Sequence, residues 1–269
     1  DELLKAGYTW VVDADLKGYF DSIPREPLME RVRSRLADGR ALALIEAYLN
    51  QEVMDGLEHW TPEGGTPQGA VISPLLANLY LDPLDHLMEQ AGFEMIRYAD
   101  DFVILCRSRA QAEVALERVS EWTAQAGLTL HPDKTKLVDA SERGGFDFLG
   151  YHFERGYRWP RKKSLKKFKD AVRRKTRRAN GQSLESIIVN VNFTLTGWFE
   201  YFKHSIANTF PPLDSWVRMR LRSILRKRHK GKGRGRGLDH IRWPNAYFAE
   251  RGLFSLTTAR AQAVQSARR

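Results

Sequence analysis

The chain contains 269 residues, of which 42% are hydrophobic and 11% aromatic, a composition typical of a globular protein rather than of a disordered segment. No apolar run approaches the roughly 20 residues that a membrane-spanning helix needs, and no signal segment opens the sequence. The one cysteine, Cys106, excludes a disulfide framework within the chain and a cysteine-rich zinc site. In a reducing compartment we also expect no disulfide-linked partner. We therefore expect a cytoplasmic protein with no membrane partner.

Charge divides the chain into two unlike parts. Residues 1–150 contain 14 Lys and Arg against 26 Asp and Glu, a net charge of −12, whereas residues 151–269 contain 29 against 7, a net charge of +22. The total of +10 indicates a polyanionic partner. The basic part can neutralise phosphates, whereas the acidic part would repel them unless metal ions lie between. A solvated acidic domain with a basic tail is the alternative that charge leaves open.

The acidic part alternates between strand and helix patterns. We expect a strand at 9–14, followed by helices at 24–36 and 42–49, a loop rich in Gly and Pro at 61–70, and a helix at 73–87. Short strands at 94–98 and 102–107 come next, and a helix then runs from the capping box at 108–111 to Gly127. Strand pieces at 128–130 and 135–138 and a strand at 146–153 complete the acidic part. Ser73 and Pro74 resemble a helix cap and a first-turn proline. This order predicts the split β-α-β-β-α-β layout, an antiparallel sheet with helices on one face.

The basic part is predicted to be helical. Residues 161–179 form a basic helix pattern, 184–202 and 213–225 have strong apolar periodicity, and 230–237 form a flexible basic loop. This loop lacks the Gly-Lys-Ser/Thr ending and the strand–helix frame of an NTPase phosphate loop, so we reject that interpretation.

Three carboxylates follow strands that the predicted layout makes neighbours. Asp15 ends the first strand, and Asp100 and Asp101 lie at the tip of the hairpin. Carboxylates that converge are costly unless divalent cations neutralise them, and Mg²⁺ prefers a few carboxylates together with substrate phosphates. Two such ions could clamp the oxygens of a phosphoryl transfer. An ordinary Asp-Asp turn is the alternative reading. Asp13 shares the strand with Asp15, but we leave it out of this set.

Eight segments carry a family resemblance. Residues 11–23, 65–78, 96–102, 127–136 and 146–151 resemble the palm motifs of reverse transcriptases, and 183–202, 243–245 and 252–256 resemble the maturase domain and C-terminal end of group II intron reverse transcriptases. The resemblance covers nearly the whole chain, in family order. It implies an α+β fold, with a palm at 1–155, a basic all-α thumb and maturase domain at 156–230, and a basic loop with a C-terminal extension at 231–269. It also suggests a bacterial source.

The resemblance assigns the acidic cluster to metal binding. Asp15, Asp100 and Asp101 would ligate two Mg²⁺ ions, and the backbone carbonyl of Leu16 would complete a coordination sphere. Lys134 matches the lysine that would protonate the pyrophosphate leaving group. These four side chains are the expected catalytic set, and Leu16 is expected to bind both the metal and the nucleotide.

Three further residues match nucleotide contacts. Phe20 would pack under the sugar and exclude a 2′-hydroxyl, which would select dNTPs. Gln68 and Gly69 would contact the incoming nucleotide and the template pair. Without the resemblance, Phe20 would be read as a core aromatic residue and Gln68-Gly69 as a helix-entry turn.

The basic half is expected to bind nucleic acid. One helix is crowded with cations and has only Asp170 among them, whereas a solvated helix would interleave acids. A later helix carries arginines at four-residue spacing. The expected contacts are Lys162, Lys163, Lys166, Lys167, Arg173, Arg174, Arg177, Arg178, Arg218, Arg222 and Arg226. The partners would be structured intron RNA and an RNA template with a DNA primer.

These features predict an RNA-directed DNA polymerase that also acts as a maturase. A non-catalytic RNA-binding splicing factor with the same fold, or a related reverse transcriptase in host defence or repair, stays open. The family's fingers region, which grips the triphosphate, has no match in this sequence. An engineered truncation, a truncated gene or fingers supplied by another chain would each explain this. We therefore expect the chain alone to bind RNA but to polymerise poorly.

Overall fold

The chain forms two compact units in a computed structural model that describes residues 2–51, 53–55, 58–60, 64–67, 70–179 and 181–266. The first unit is Asp1–Phe148 with Glu154–Gly156, and the second is Leu149–Phe153 with Tyr157–Arg269. Within these described ranges, no helix is both long and apolar enough to cross a bilayer.

The first unit mixes helices and strands. Its helices are α1 (Glu2–Lys5), α2 (Tyr19–Ser22), α3 (Arg25–Arg35), α4 (Gly39–Leu49), α5 (Ser73–Gln90) and α6 (Arg109–Gln125). Its strands are β1 (Trp10–Asp15), β2 (Val53–Asp55), β3 (Glu58–Trp60), β4 (Glu94–Tyr98), β5 (Asp101–Cys106), β6 (Lys136–Asp139) and β7 (Phe146–Phe148). The antiparallel β2–β3 pair is an element that the sequence pattern did not predict.

A four-stranded antiparallel sheet with the order β4-β5-β1-β6 organises this unit. β1 lies between β5 and β6, and its register pairs Trp10 with Cys106 and Asp15 with Asp101. Helices connect β1 to β4, β4 and β5 form a hairpin, and α6 connects β5 to β6. The predicted split β-α-β-β-α-β order is therefore confirmed.

β5 is the most deeply buried strand of the sheet. Its residues from Phe102 to Cys106 are all buried, without the alternation of a half-exposed strand, because α6 packs on β5 and β7 also contacts it. Cys106 is fully buried on this strand, and burial raises the pKa of its thiol to about 11. Tyr19 and Tyr80 complete the core through hydroxyls that donate to the carbonyl oxygens of Ala77 and Ala126.

The sequence predicted a capping serine at the start of two helices, α6 and α5. The Ser108 hydroxyl accepts from the Gln111 amide at 3.2 Å, which confirms the capping box, although the Gln111 side chain accepts from the Arg107 amide, one residue before the cap. The expectation that Ser73 is a cap was wrong. Ile72 holds the cap position, and Ser73 is buried inside α5, where its hydroxyl donates to the Pro67 carbonyl at 2.7 Å.

The second unit is mainly helical. After β8 (Tyr151–Glu154) and β9 (Tyr157–Pro160) come α7 (Lys162–Lys175), α8 (Leu184–Phe202), a 3₁₀ turn (Ala207–Thr209), α9 (Phe210–Arg228), α10 (Asp239–Arg242), α11 (Asn245–Ala249) and α12 (Leu256–Ser266). The predicted single strand at 146–153 is two strands, because Leu149 and Gly150 adopt positive φ angles of 46° and 83° between β7 and β8.

One hydrophobic core joins the helices of the second unit. The apolar faces of α7, α8 and α9 meet there, as their sequence periodicity predicts. Trp243, Phe248 and Leu256 belong to the same core, so the segment after α9 packs with the preceding helices.

The basic loop at 230–237, which we name the glycine strap, is docked on α9 rather than flexible. The Gly231 amide donates to the Arg226 carbonyl at 2.8 Å, and the Gly235 amide donates to the Ser223 hydroxyl at 3.0 Å. A Cβ added at Gly235 would lie 2.6 Å from the Cβ of Arg222. Glycine therefore permits the strap to approach the helix closely.

Asp214 on α9 holds the start of α12. Its carboxylate is buried and accepts hydrogen bonds of 3.0 Å from the Leu256 amide, the Thr257 amide and the Ser255 hydroxyl. An acidic side chain at this place satisfies donors that the first turn of a helix leaves unpaired.

We predict that Asp214→Ala lowers the free energy of unfolding by about 2–4 kcal/mol, because one buried and two partly buried donors lose their shared acceptor. Urea denaturation followed by circular dichroism measures this difference. Asp170→Ala is the matched control, since Asp170 makes only a solvent-accessible pair with Arg173. It should cost less than about 0.5 kcal/mol. Equal losses in the two variants would contradict a capping role.

Candidate active site

Two acidic side chains meet where β1 and β5 lie side by side. Asp15, the last residue of β1, is the register partner of Asp101, the first residue of β5. Directly opposed residues of an antiparallel pair place their side chains on the same face, with Cβ atoms about 4.5–5.5 Å apart. Asp100 precedes Asp101 in the turn after β4. The sheet therefore brings Asp15 and Asp101 together, as the layout predicted.

Arg97 ties the turn that carries Asp100 to helix α5. Its guanidinium forms a two-pronged ion pair with Asp85 and donates to the Asn78 side chain and to the Ala99 carbonyl, both at 2.9 Å. Only 11% of the Arg97 side chain is exposed. Ala99 has a φ of 56°, a left-handed conformation that costs a non-glycine residue about 1 kcal/mol. The Arg97 network thus stabilises a strained turn beside the carboxylates.

Lys134 lies at the same end of the sheet. Its ammonium forms an ion pair with Asp15, and the Asp15 hydrogen bond and charge, followed by the charges of Asp100 and Asp101, raise the pKa of Lys134. The turn that carries Lys134 is attached to β1, because the His131 amide donates to the Asp15 carbonyl at 2.8 Å. The structure therefore places Lys134 within electrostatic reach of all three predicted carboxylates.

Leu16 continues β1 beyond Asp15 in an isolated bridge to Leu130. Both hydrogen bonds at this bridge involve the neighbours of Leu16, since the Asp15 carbonyl accepts from His131 and the Lys17 amide donates to Thr129. The bridge thus makes no use of the Leu16 carbonyl, the predicted backbone ligand.

The carboxylates match a divalent cation in chemical kind, since Mg²⁺ takes hard oxygen ligands. Among the residues that the structure describes, however, no group of three His, Cys, Asp or Glu side chains is arranged to hold one ion. The cation paired with Asp15 is the Lys134 ammonium. The predicted three-carboxylate cluster is therefore present only as the Asp15–Asp101 pair with Asp100 in the adjoining turn. Lys134 occupies Oδ2 of Asp15, so a metal ion would compete with the ammonium for this oxygen.

Asp13 is a member of this acidic group that the sequence analysis left out. Burial raises its pKa to about 6, with the charges of Asp101 and Asp147 adding to this and Lys136, 3.7 Å away, opposing it. Asp13 lies two residues before Asp15 and so on the same strand face. Strand periodicity was the signal that could have found it.

Phe20 on α2 supports the loop that precedes α5. Its carbonyl accepts from the Thr66 amide at 2.7 Å, and the neighbouring Gly65 amide donates to the Ile23 carbonyl at 2.8 Å. Gly65 has a φ of 78°, and a Cβ there would lie 2.5 Å from the Phe20 carbonyl oxygen, so only glycine permits this approach. The predicted contacts Gln68 and Gly69 lie outside the described residues.

The Phe20 ring is half-buried at the wall of a groove. The groove has a volume of about 860 Å³, and Asn78, Tyr98 and Ala99 also line it. Phe20 therefore lies in the same groove as the residues that precede Asp100, and its role at the nucleotide sugar stays a prediction.

The basic helix α7 and the residues after it present cations to solvent. The predicted contact residues that are exposed there are Lys162, Lys163, Lys166, Lys167, Arg173, Arg174, Arg177 and Arg178. The buried stripe of this helix is apolar, with Phe168 and Val172 in the second core. The charged face therefore stays available to a polyanion.

Two of the predicted arginines of α9 are used inside the protein. Arg222 is 2% exposed and donates to the Trp243 carbonyl at 2.8 Å and the Asn245 side chain at 2.7 Å, so its prediction as a nucleic-acid contact was wrong. Arg226 forms an ion pair with Asp239 at 2.7 Å and donates to the glycine strap. Arg218 is half-buried and remains a prediction. Helical spacing alone could not show that this face is covered by residues 231–245.

The family model described as Reverse transcriptase (RNA-dependent DNA polymerase) matches residues 2–153, more than half of the chain. The chain belongs to the reverse transcriptase family. A second family model, Group II intron, maturase-specific domain, matches residues 165–243 of this reverse transcriptase. The family uses divalent metal ions and acts as an RNA-directed DNA polymerase.

The relatives of this reverse transcriptase include intron-encoded proteins. Protein YkfC of Escherichia coli is 31% identical over 184 residues, covering 54% of this chain and 47% of YkfC. The group II intron-encoded protein LtrA of Lactococcus lactis is 36% identical over 91 residues, covering 34% of this chain and 15% of LtrA. The chain spans less than half the length of these relatives.

Among solved structures, apo telomerase from Candida tropicalis resembles this reverse transcriptase with a TM-score of 0.53. The alignment covers 84% of this chain and 42% of the telomerase chain, at 13% identity. At this identity the similarity supports the fold alone.

We predict that the Arg97–Asp85 pair contributes a coupling energy of more than about 1 kcal/mol to stability, because the pair is two-pronged and Arg97 is shielded from water. A double-mutant cycle of Arg97→Lys and Asp85→Asn in urea denaturation measures it. The Arg33–Glu26 pair is the matched control, because both of its side chains are exposed. Its cycle should give less than about 0.5 kcal/mol. Equal coupling at the two pairs would contradict a clamp at the turn.

Proposed function

We propose that this chain is the polymerase and RNA-binding portion of an RNA-directed DNA polymerase of the group II intron type. It extends a DNA primer on an RNA template with dNTPs and binds structured intron RNA to assist splicing, in the cytoplasm of a bacterium. The observation that carries the proposal is the register of β1 and β5, which sets Asp15 opposite Asp101 beside Asp100, with Lys134 in reach of all three.

Asp15, Asp100, Asp101 and the Leu16 carbonyl would hold two Mg²⁺ ions. When bound, the ions supply charge neutralisation and orient the attacking and leaving oxygens. The protein's own contribution is to fix the carboxylates on two hydrogen-bonded strands and to hold the Asp100 turn through Arg97. This rigidity keeps the acidic groups in place before substrate arrives.

Lys134 acts as the proton donor to the pyrophosphate leaving group. The Asp15 hydrogen bond and charge, with the charges of Asp100 and Asp101, raise the pKa of its ammonium and so favour the protonated form that a proton donor needs. With the carboxylates neutralised, the Lys134 ammonium would be free to face the negatively charged phosphates of the substrate. It would then donate its proton at the leaving oxygen, as a general acid does.

The basic surface of the second unit grips nucleic acid through phosphates. The exposed cations of α7 and of residues 176–178 face solvent without an acidic stripe, and such a face suits the backbone of an RNA duplex or hybrid. Within this surface, Arg218 is the α9 arginine that we retain as a contact.

A non-catalytic RNA-binding splicing factor is the second candidate. The Asp15–Lys134 ion pair favours it, because this pair compensates a carboxylate without any metal ion. The two candidates share the basic surface and differ only in whether the acidic end of the sheet performs chemistry.

We predict that Asp100→Asn/Asp101→Asn lowers primer extension on an RNA template at least about 10³-fold, because the site loses two anionic ligands. Extension with Mg²⁺ and dNTPs is measured for the chain and for a longer protein that carries a fingers region. We expect weak extension by the chain alone and strong extension by the longer protein. Glu117→Gln/Glu121→Gln, which neutralises two exposed acids of α6, is the control and should leave extension unchanged.

The outcome decides between the two candidates. If Asp100→Asn/Asp101→Asn still extends the primer at the wild-type rate, Asp100 and Asp101 do not take part in the reaction. Salt-sensitive RNA binding without extension by either protein would favour the splicing factor.

We predict that Phe20→Ala reduces the preference for dNTPs over rNTPs by about 10- to 100-fold in kcat/KM, because the removed ring no longer excludes the 2′-hydroxyl. Single-nucleotide addition with matched dNTP and rNTP pairs measures this ratio. Phe93→Ala is the control, since Phe93 lines the same groove without lying on α2. A loss of activity toward both substrates, with no change in preference, would show a structural role for Phe20.

A further inference from the structure

A second concave site lies in the helical unit, inside the segment matched by the maturase-specific model, and of its lining residues Arg178 alone was among the expected nucleic-acid contacts. Its volume is about 460 Å³, and it is lined by Arg178, Lys227, Lys230, Gly231, Lys232 and Gly233. Four of these six residues are cationic and the other two are glycines. Of the residues described by the structure, no acidic one lines it. The four cationic side chains are exposed to solvent.

The walls of this basic pocket are held in place. On one side, Arg220 on α9 donates to the Thr176 hydroxyl at 3.0 Å and to the Thr176 carbonyl at 2.8 Å, which fixes the segment that carries Arg178. Arg228 donates to the Gln182 carbonyl farther along that segment. Side chains of α9 thus attach the segment after α7 to the end of α9 where Lys227 lies.

The other wall is the glycine strap. Arg226 donates to the Lys232 carbonyl at 2.7 Å, and the amides of Gly231 and Gly235 bond to α9. Because glycine at these positions lets the backbone lie directly on α9, the strap presents the side chain of Lys232 outward. The alternating Gly and Lys or Arg pattern at 230–237 therefore produces an ordered cationic wall.

Positive charge is concentrated around this site beyond its lining. Burial, followed by the charges of Arg173, Arg178 and Arg234, lowers the pKa of Arg220. So many like charges repel one another, and an ordinary solvated surface would interleave acids to relieve this. A polyanionic ligand would relieve it as well.

We propose that the basic pocket is a binding site for phosphate groups, supplied either by the backbone of a folded RNA or by a free oligophosphate. Ordered cations around a cavity of this size suit several phosphate charges at once, and Arg and Lys are the side chains that bind phosphate. The RNA source rests on the proposed function, whereas the phosphate chemistry does not. Bound RNA would then have a fixed point on the second unit, separate from α7.

The first test removes charge. We compare Lys227→Gln/Lys230→Gln with the charge-matched control Arg40→Gln/Arg143→Gln, which removes two exposed cations from the first unit. The probes are a fluorescent RNA hairpin, titrated across salt concentrations, and inorganic tripolyphosphate. We expect the pocket variant to bind the probe that occupies the pocket about tenfold more weakly. If that probe is the RNA hairpin, the magnitude of the slope of log K against log salt should fall by about 1.5. The control should change neither value comparably.

The second test changes geometry without changing charge. Gly235→Ala places a methyl group against Arg222 and displaces the glycine strap, whereas the control Gly181→Ala meets nothing within 4 Å. We expect weaker binding in Gly235→Ala only. Circular dichroism checks that each variant folds. If Gly235→Ala does not fold, the test of phosphate binding rests on Lys227→Gln/Lys230→Gln, which changes only exposed side chains.

The result identifies the phosphate source. Loss of hairpin binding supports an RNA backbone, and loss of tripolyphosphate binding with unchanged hairpin binding supports a free oligophosphate. Unchanged binding of both probes, or equal loss in the control variants, would overturn the proposal. Primer extension is measured in parallel for the chain and for the longer protein that carries a fingers region. RNA binding at the pocket without extension by either protein rejects the polymerase function but leaves the pocket standing.

Discussion

The register of β1 is the constraint on which the rest of the acidic unit depends. This one strand is hydrogen-bonded on both sides, to β5 and to β6, so both neighbours are fixed relative to it. A slip of one residue would turn Asp15 to the opposite face of the sheet and separate it from Asp101 and Lys134. The apolar residues Val12 and Ala14, which lie on the face opposite the acids and are fully buried, oppose such a slip, because it would exchange their buried positions for those of acids.

The sequence predicted this part of the molecule well, because its signals are local and mutually consistent. The hairpin around Ala99 and the capping box at Ser108 follow from short patterns that tertiary packing does not override. The cap prediction at Ser73 was wrong because a serine before a proline matches the cap pattern in either of two cases. Its hydroxyl can accept from the first turn of the helix, or it can donate to a neighbouring loop, as it does here. The break at Leu149 was hidden because an aromatic-rich run with one glycine also suits a continuous strand.

The basic unit was less predictable, because the sequence shows how many cationic side chains exist but not which of them bind groups within the protein. Arg218, Arg222 and Arg226 share one helical face, and nothing local distinguishes the half-buried Arg218 from the two that are paired with residues 231–245. The glycines at 230–237 suggested mobility, since glycine usually adds conformational freedom. Here the same residues allow contact with α9. The distinction between a loose loop and a docked one depends on partners distant in sequence.

Burial of Cys106 gives this member of the reverse transcriptase family an internal reporter. The thiol is fully buried on β5 and its pKa is raised to about 11, so very little thiolate, the form that alkylating reagents attack, exists in the folded chain. Since the sequence holds no other cysteine, the rate of alkylation measures how often β5 becomes accessible. That strand begins at Asp101, and the same rate therefore reports opening of the sheet that holds the acidic site.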